Sequence, residues 1–484
     1  MSLGLVRTGW STCALLCFSW ALVAWQSNGS RSEDKSSGDR RTQLAAEGRL
    51  PWSTIDQAIS RLRKSAPSKS SPAKQTTSKA APARLTAAED DGQPESQSVT
   101  TIEFLTRAVD DSAADESSSN RYLDKEPDLP SVSSESTKPL TPELAALRDK
   151  LRRALEVNYP RHQNTRDNTP WEVMHAIIAY GVDTQLFKNG PTGDKVNAVG
   201  WLCYNHPCNG EKMLFVNRGK IEARRGVGVQ GHYGQFLAIL AQSHVKSDYP
   251  MYVAGKEFTL QDLIEHEKEN CTAGEELTFK LIALMHYLDS DATWKSKDGQ
   301  DWSIQRLIQE ELKQPIRGAA CGGTHRLMGF SYAVNKRIQR GKPVVGQFQR
   351  AQQFIQDYHK YTFSLQNPDG SFSTEWFVRK GDSTDIDRRL KTSGHILEWI
   401  AFSLNEDELR DPRMIKAADY VASLLLKHDG HKWEIGPLGH GLHALAIYNR
   451  RMFKDNEISR PQDVVGLPTT PPPALEARVP GEVK

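Results

Sequence analysis

Two stretches of this chain are near copies of each other, 44 residues apart. GKEFTLQDLIEHE begins at Gly255 and GQDWSIQRLIQEE begins at Gly299. Both read glycine, polar, acid, aromatic, hydroxyl, aliphatic, glutamine, then Leu-Ile in register. Thr259 and Ser303 stand where an N-cap must accept a hydrogen bond from the first turn of a helix. A cysteine follows each predicted helix, Cys271 in one copy and Cys321 in the other. Four residues later comes a titratable residue, Glu275 or His325, and then an apolar helix. A repeat of this length cannot bury its apolar face alone, so neighbouring copies must stack.

Further copies of the apolar half extend the pattern. GHYGQFLAILAQ at 231, GEELTFKLIAL at 274, THRLMGFSYAV at 324, GHILEWIAFSL at 394 and GHGLHALAIYN at 439 each place His or Glu before an apolar run. PWEVMHAIIAYG at 170 makes a sixth. Helices apolar on nearly every side are buried. Amphipathic segments at 141–157, 259–269, 303–312, 343–364 and 412–427 lie between them. The expected fold is all-α: an α/α toroid of about six inner helices with outer helices around them. VNAVGWLCYNHPCNGEKMLFVNRGKIEARRG breaks the pattern and predicts a small β insertion near 195–226, with NRGK as its hairpin turn.

Composition sets the boundaries. Residues 1–27 carry one charge, Arg7, before the apolar run GWSTCALLCFSWALVAW, which is the pattern of a signal peptide or signal anchor. Residues 28–140 are rich in Ser, Asp, Glu, Lys, Pro and Ala, too polar to offset their chain entropy, and are expected to be a disordered linker. Residues 141–455 form the folded domain and 456–484 a Pro-rich tail. Mean hydropathy is low, −0.58, because these ends dilute the domain. Net charge is +2, which gives no reason to expect nucleic acid as a partner. The chain is expected to be exported, either anchored in the membrane by its N-terminal segment or released as a secreted or periplasmic protein. Export would permit disulfides among Cys203, Cys208, Cys271 and Cys321. A Cys203–Cys208 tie and a Cys271–Cys321 bridge, or two buried thiols at the latter, are the expectations.

The segment RAQQFIQDYHKYTFSLQNPDGSFSTEW at 350–376, with Gln366, Asp369, Gly370 and Phe372, resembles the repeat of the terpenoid cyclase and protein prenyltransferase superfamily. A weaker copy holds Asp429, Gly430 and Trp433. The resemblance implies an α/α toroid. It does not bring that superfamily's chemistry. Asp385-Ile386-Asp387-Arg388 lacks the final acid of a DxDD motif, and neither a DDxxD motif nor an Asp-x-Cys zinc pair is present. GHILEW, with His395 and Glu398, is similar to the GHxxEW segment of the N-acylglucosamine 2-epimerase family, another α/α barrel. There the histidine acts in proton transfer.

Equivalent positions in such a repeat gather at one end of a central cavity. His232, Glu275, His325, His395 and His440 are then candidate catalytic residues, with Glu398 one turn after His395 to orient it. Gly-His is read as the turn that opens each inner helix. Asp385, Asp387, Arg388 and Arg389 precede the His395 helix and could close over the same end. Histidines beside carboxylates suit acid–base work on a small molecule or glycan. No cofactor is predicted outright, but Cys321 and His325 could begin a zinc site. The competing readings are a scaffold or binding module with purely structural histidines, and an isoprenoid or lipid carrier.

Overall fold

The computed structural model describes residues 121–124, 140–159, 163–454 and 465–468. Twelve α-helices occur among them, in chain order: α1 Pro142–Asn158, α2 Pro170–Tyr180, α3 Ala198–Cys203, α4 Gln235–Gln242, α5 Leu260–Glu269, α6 Thr278–Tyr287, α7 Ile304–Leu312, α8 Thr324–Gln339, α9 Gln347–Leu365, α10 Ile386–Ser403, α11 Pro412–Lys427 and α12 Ile435–Phe453. Four two-stranded antiparallel hairpins accompany them: β1 Gln185–Phe187 with β2 Lys195–Asn197, β3 Leu214–Asn217 with β4 Lys220–Ala223, β5 Pro250–Val253 with β6 Lys256–Thr259, and β7 Thr293–Lys295 with β8 Asp301–Ser303.

The helices begin where the sequence supplies caps. The Thr141 hydroxyl accepts from Leu144 N ahead of α1. Thr169 and Glu172 form a reciprocal capping box on α2, and Thr259 and Asp262 form one on α5. Each such cap stabilises its helix by about 1 kcal/mol. The even-numbered helices are the apolar ones. Val173, Met174, Ile177 and Ile178 of α2 are fully buried, as are Phe236, Ala238, Ile239 and Leu240 of α4. Each even-numbered helix packs on the next, α2 on α4, α4 on α6, α6 on α8, α8 on α10 and α10 on α12, and α12 packs on α2. The amphipathic odd-numbered helices lie against them: α5 and α7 on α6, α9 on α8, α11 on α10, and α1 on α12.

Buried ion pairs tie the two sets together. Glu311 of α7 accepts from Leu277 N at 2.7 Å, from the Thr278 hydroxyl at 2.5 Å and from Arg326 of α8 at 2.9 Å. One carboxylate thus caps α6 and anchors α8. Lys280 of α6 meets Glu267 of α5 at 3.2 Å, both side chains almost wholly buried.

The fold departs from an all-α reading. The two near-copies each open as the second strand of a hairpin before becoming a helix, with Met251 opposite Phe258 and Trp294 opposite Trp302. Strands of three or four residues are too short to display alternation. The 195–226 insertion is present as β2, β3 and β4, but it also holds the short helix α3. No disulfide forms among the four described cysteines, so neither expected bridge exists. The PDG segment is a turn with Gly370 at φ 96° and Phe372 buried beneath it.

Both flanking segments contribute to the core. Tyr122 is buried edge-on to Tyr249, and Leu123 bridges Val245. Leu467 is buried, and the Pro468 carbonyl accepts from the hydroxyls of Tyr204 and Tyr249 at 2.9 and 2.8 Å. These residues are packed where a disordered linker and tail were expected. The N-terminal apolar segment lies outside the described residues, among which no helix is long and apolar enough to cross a membrane.

Two buried histidines make stability depend on pH. His359 bonds Ser403, His286 bonds Tyr332 and Asp124, and burial pushes both down to about 4. The unfolded chain titrates near 6.5, so it takes up protons first as pH falls. The contribution of each neutral histidine is complete above about pH 6.5. It is lost at about 1.4 kcal/mol per pH unit down to the folded value. Chemical denaturation at pH 7.5 and pH 5 should show this loss, with a shallower dependence in His359→Gln.

Candidate metal centre

Five histidines from five different segments meet in the interior. His395 of α10 and His440 of α12 stack with ring centroids 3.8 Å apart. His325 of α8 lies 5.7 Å from His395 and 5.8 Å from His440. His175 of α2 lies 5.6 Å from His440. His232, just before α4, lies 6.2 Å from His325. None is more than 6% exposed. The histidines pack mainly on one another, and His175 also lines a small pocket of about 40 Å³ between α2 and α12. A groove of about 830 Å³ between α8, α9 and the end of α10 is lined by none of these five.

Close backbone approach brings the rings together. A Cβ on Gly394 would stand 3.0 Å from Gly441 Cα, and one on Gly439 only 2.3 Å from the His175 carbonyl. Gly394 and Gly439 therefore do not open turns, whereas Gly231-His232 stands in the turn ahead of α4 as expected. His395 is the tenth residue of α10 and His440 the sixth of α12, both well inside their helices. Glycine serves there to let α10, α12 and α2 touch.

The other half of the centre is a sharp turn. Cys321, Gly322 and Gly323 all have positive φ, 45°, 65° and 86°, and Gly323 caps α8. A non-glycine residue held in this region is strained, a state that persists only where the surroundings enforce it. The turn folds Cys321 back over the first turn of α8. The ligand atoms of Cys321, His325 and His395 then lie within 4.8 Å of one another. Trp376, itself at φ 53°, covers the turn and sets its ring edge-on to His395 at 5.7 Å. Cys321 is the half-exposed member of this triad.

The hydrogen bonds fix which nitrogen is bare. Nδ1 of His395 meets the Lys391 carbonyl at 2.7 Å, and Nδ1 of His175 meets the Trp171 carbonyl at 2.7 Å. A carbonyl only accepts, so both Nδ1 atoms carry the proton and both Nε2 atoms are lone-pair donors. Glu398 receives Nδ1 of His440 at 2.9 Å and Nδ1 of His443 at 2.5 Å. Glu276 receives Nδ1 of His232. Carboxylate or carbonyl anchoring of Nδ1 is the arrangement that orients metal-binding imidazoles. His325 has no hydrogen-bond partner for either ring nitrogen among the described residues. Burial, reinforced by the neighbouring histidines, holds His325 and His395 well below the usual histidine range and His175 at about 3, so these rings are neutral.

The structure rearranges the sequence-derived set. His232, His325, His395 and His440 do converge. Glu275 does not; it is exposed, and its neighbour Glu276 takes the place against His232. The 44-residue offset of the repeat carries His232 onto Glu276, a signal that alignment on Cys271 obscured. Glu398 does not orient His395, but holds two histidines of α12. His175, read as an ordinary core residue, belongs to the cluster and its Nε2 has no partner among the described residues. Cys321 and His325 are adjacent as expected. No protein-family profile matches the chain, and no curated protein matches it.

Gly439→Ala should wedge α12 away from α2. Overpacking of this kind costs about 1–3 kcal/mol. Thermal denaturation should show the loss, and His175 should show altered ring shifts in NMR.

Proposed function

We propose that the chain is an exported α/α-toroid metalloenzyme, with a zinc ion held by Cys321, His325 and His395 at the heart of the helix ring. The observation that carries this reading is His325. A buried imidazole with two unpartnered nitrogens loses its hydration without replacement, at a cost of about 1–3 kcal/mol. A metal bound beside Cys321 and His395 removes that cost. A tetrahedral ion sets its ligand atoms roughly 3.5 Å apart, so side-chain shifts on the order of 1 Å complete the triad. The ring of contacts from α2 through α12 and back supports the toroid, as does the resemblance at 350–376.

Three ligands favour catalysis. Structural zinc sites close with four protein ligands, whereas catalytic ones keep a position open. The half-exposed Cys321 and the strained turn at 321 and 376 mark the side from which a small molecule reaches the ion. Zinc held by Cys321, His325 and His395 would activate water as a nucleophile or base near neutral pH, as hydrolysis, elimination or epimerisation requires. The second reading is a closed, non-catalytic site, in which the ring of His440, stacked 3.8 Å from that of His395, turns inward to supply a fourth nitrogen.

Elemental analysis of the purified full chain should find one zinc per molecule. Cys321→Ser and His325→Ala should each weaken binding at least tenfold, while His359→Gln should retain it. The absorption spectrum of the cobalt-substituted protein separates the two readings. Sensitivity to small anions such as azide indicates an open position, and insensitivity a closed one. A metal-free wild type would refute both.

A further inference from the structure

Two arginine–aromatic pairs flank the histidine cluster, and on the metal reading above they define its ligand. Arg388, in the first turn of α10, places its guanidinium 5.6 Å from the centre of the Trp376 ring. That indole is the one set edge-on to His395. Arg225 lies 4.4 Å above Tyr233, the residue after His232. Both arginines are pinned in the same way. Nε of Arg388 donates to the Thr374 carbonyl at 2.8 Å, and Nε of Arg225 donates to the Gly231 carbonyl at 3.1 Å.

The terminal nitrogens are what remain. Among the described residues neither arginine has a carboxylate partner or a hydrogen bond from its two outer nitrogens. The acids near Arg388 are engaged elsewhere. Asp387 pairs with His431 at 3.0 Å, Asp385 caps α10, Asp369 and Asp382 pair with Arg389, and Glu375 pairs with Arg379. A freely solvated arginine samples many orientations. These two are held by one hydrogen bond and one aromatic face, so their forks are presented in advance. Arg388 and His395 are seven residues apart on α10, two turns or about 10 Å. A hexose-sized molecule can span that distance across Trp376.

We propose that the ligand of this centre is a small molecule bearing an oxyanion, a carboxylate or a phosphate monoester. Arg388 is its principal anchor and Arg225 its second, and the other end of the ligand reaches the metal. A planar fork of paired N–H donors matches either group bidentately.

The test is calorimetric titration of the zinc-loaded full chain with glucose, glucuronate and glucose 6-phosphate, with zinc content measured on the same samples. At least tenfold tighter binding of one anion than of glucose is expected, and which anion wins distinguishes carboxylate from phosphate. Arg388→Gln should remove that preference with zinc retained, and Arg225→Gln should weaken it. If zinc is present and the three sugars bind equally or not at all, the oxyanion assignment falls and the metal reading stands. Preference that survives in the doubly substituted Arg225→Gln, Arg388→Gln protein also overturns it. If wild type holds no zinc, the metal reading falls and takes this inference with it.

Discussion

The contact of α10, α12 and α2 through glycine is what the interior depends on. Gly394 meets Gly441 across the α10–α12 seam, and Gly439 lies against the carbonyl of His175. Ordinary helices pack 8–10 Å apart with side chains between them. At a glycine seam the side chains on either side of the contact are forced to share one space. His395 and His440 stack because of it, and His175 is drawn in by the third helix. The polar centre is a product of backbone proximity and not of a preformed cavity.

That crowding also sets the electrostatics. Several imidazoles in one dry volume cannot all be charged, and burial removes the charge from His175, His325 and His395. Each neutral ring then has one acidic proton and one lone pair. Glu398, Glu276 and the carbonyls of Lys391 and Trp171 stand against Nδ1 atoms on the outside of the cluster as hydrogen-bond acceptors. Glu398 is itself wholly buried and receives two N–H groups. Its burial is tolerable because both of its oxygens are bonded.

Much of the helical framework was legible in the sequence, because helix boundaries are written in local chemistry. Thr141-Pro142, Thr169-Pro170 and Asp411-Pro412 announce α1, α2 and α11 as caps followed by proline. The start of α10 was misplaced by eight residues. Asp385, its true cap, is followed by a charged first turn, and the apolar run begins only after Gly394. The same misreading made Gly-His a turn signal at Gly394 and Gly439, where it lies inside a helix. The NRGK hairpin was legible as β3 and β4, and the other three were missed because strands of three or four residues carry no period. The candidate site was legible as a set of residue types, since a repeat gathers its equivalent positions. Partner choice was not. Whether Glu398 serves His395 on its own helix or His440 on the next depends on side-chain direction across the seam, which spacing does not contain. Glu276 and Trp376 are contributed by loops whose course only the packed structure fixes.

The short segment Val465–Pro468 has a kinetic meaning. Leu467 fills the core beside α3, and a side chain at Gly200 would collide with the Pro468 ring. α12 must likewise reach back to α1 and α2. The earliest helices therefore bury their apolar faces against the latest ones, across nearly 300 residues. A growing chain carries an open, sticky seam until residue 468 has emerged. Such long-range closure is slow, and the seam is vulnerable to association while it waits. A chain shortened before Val465 would keep its helices and lose the latch that finishes them.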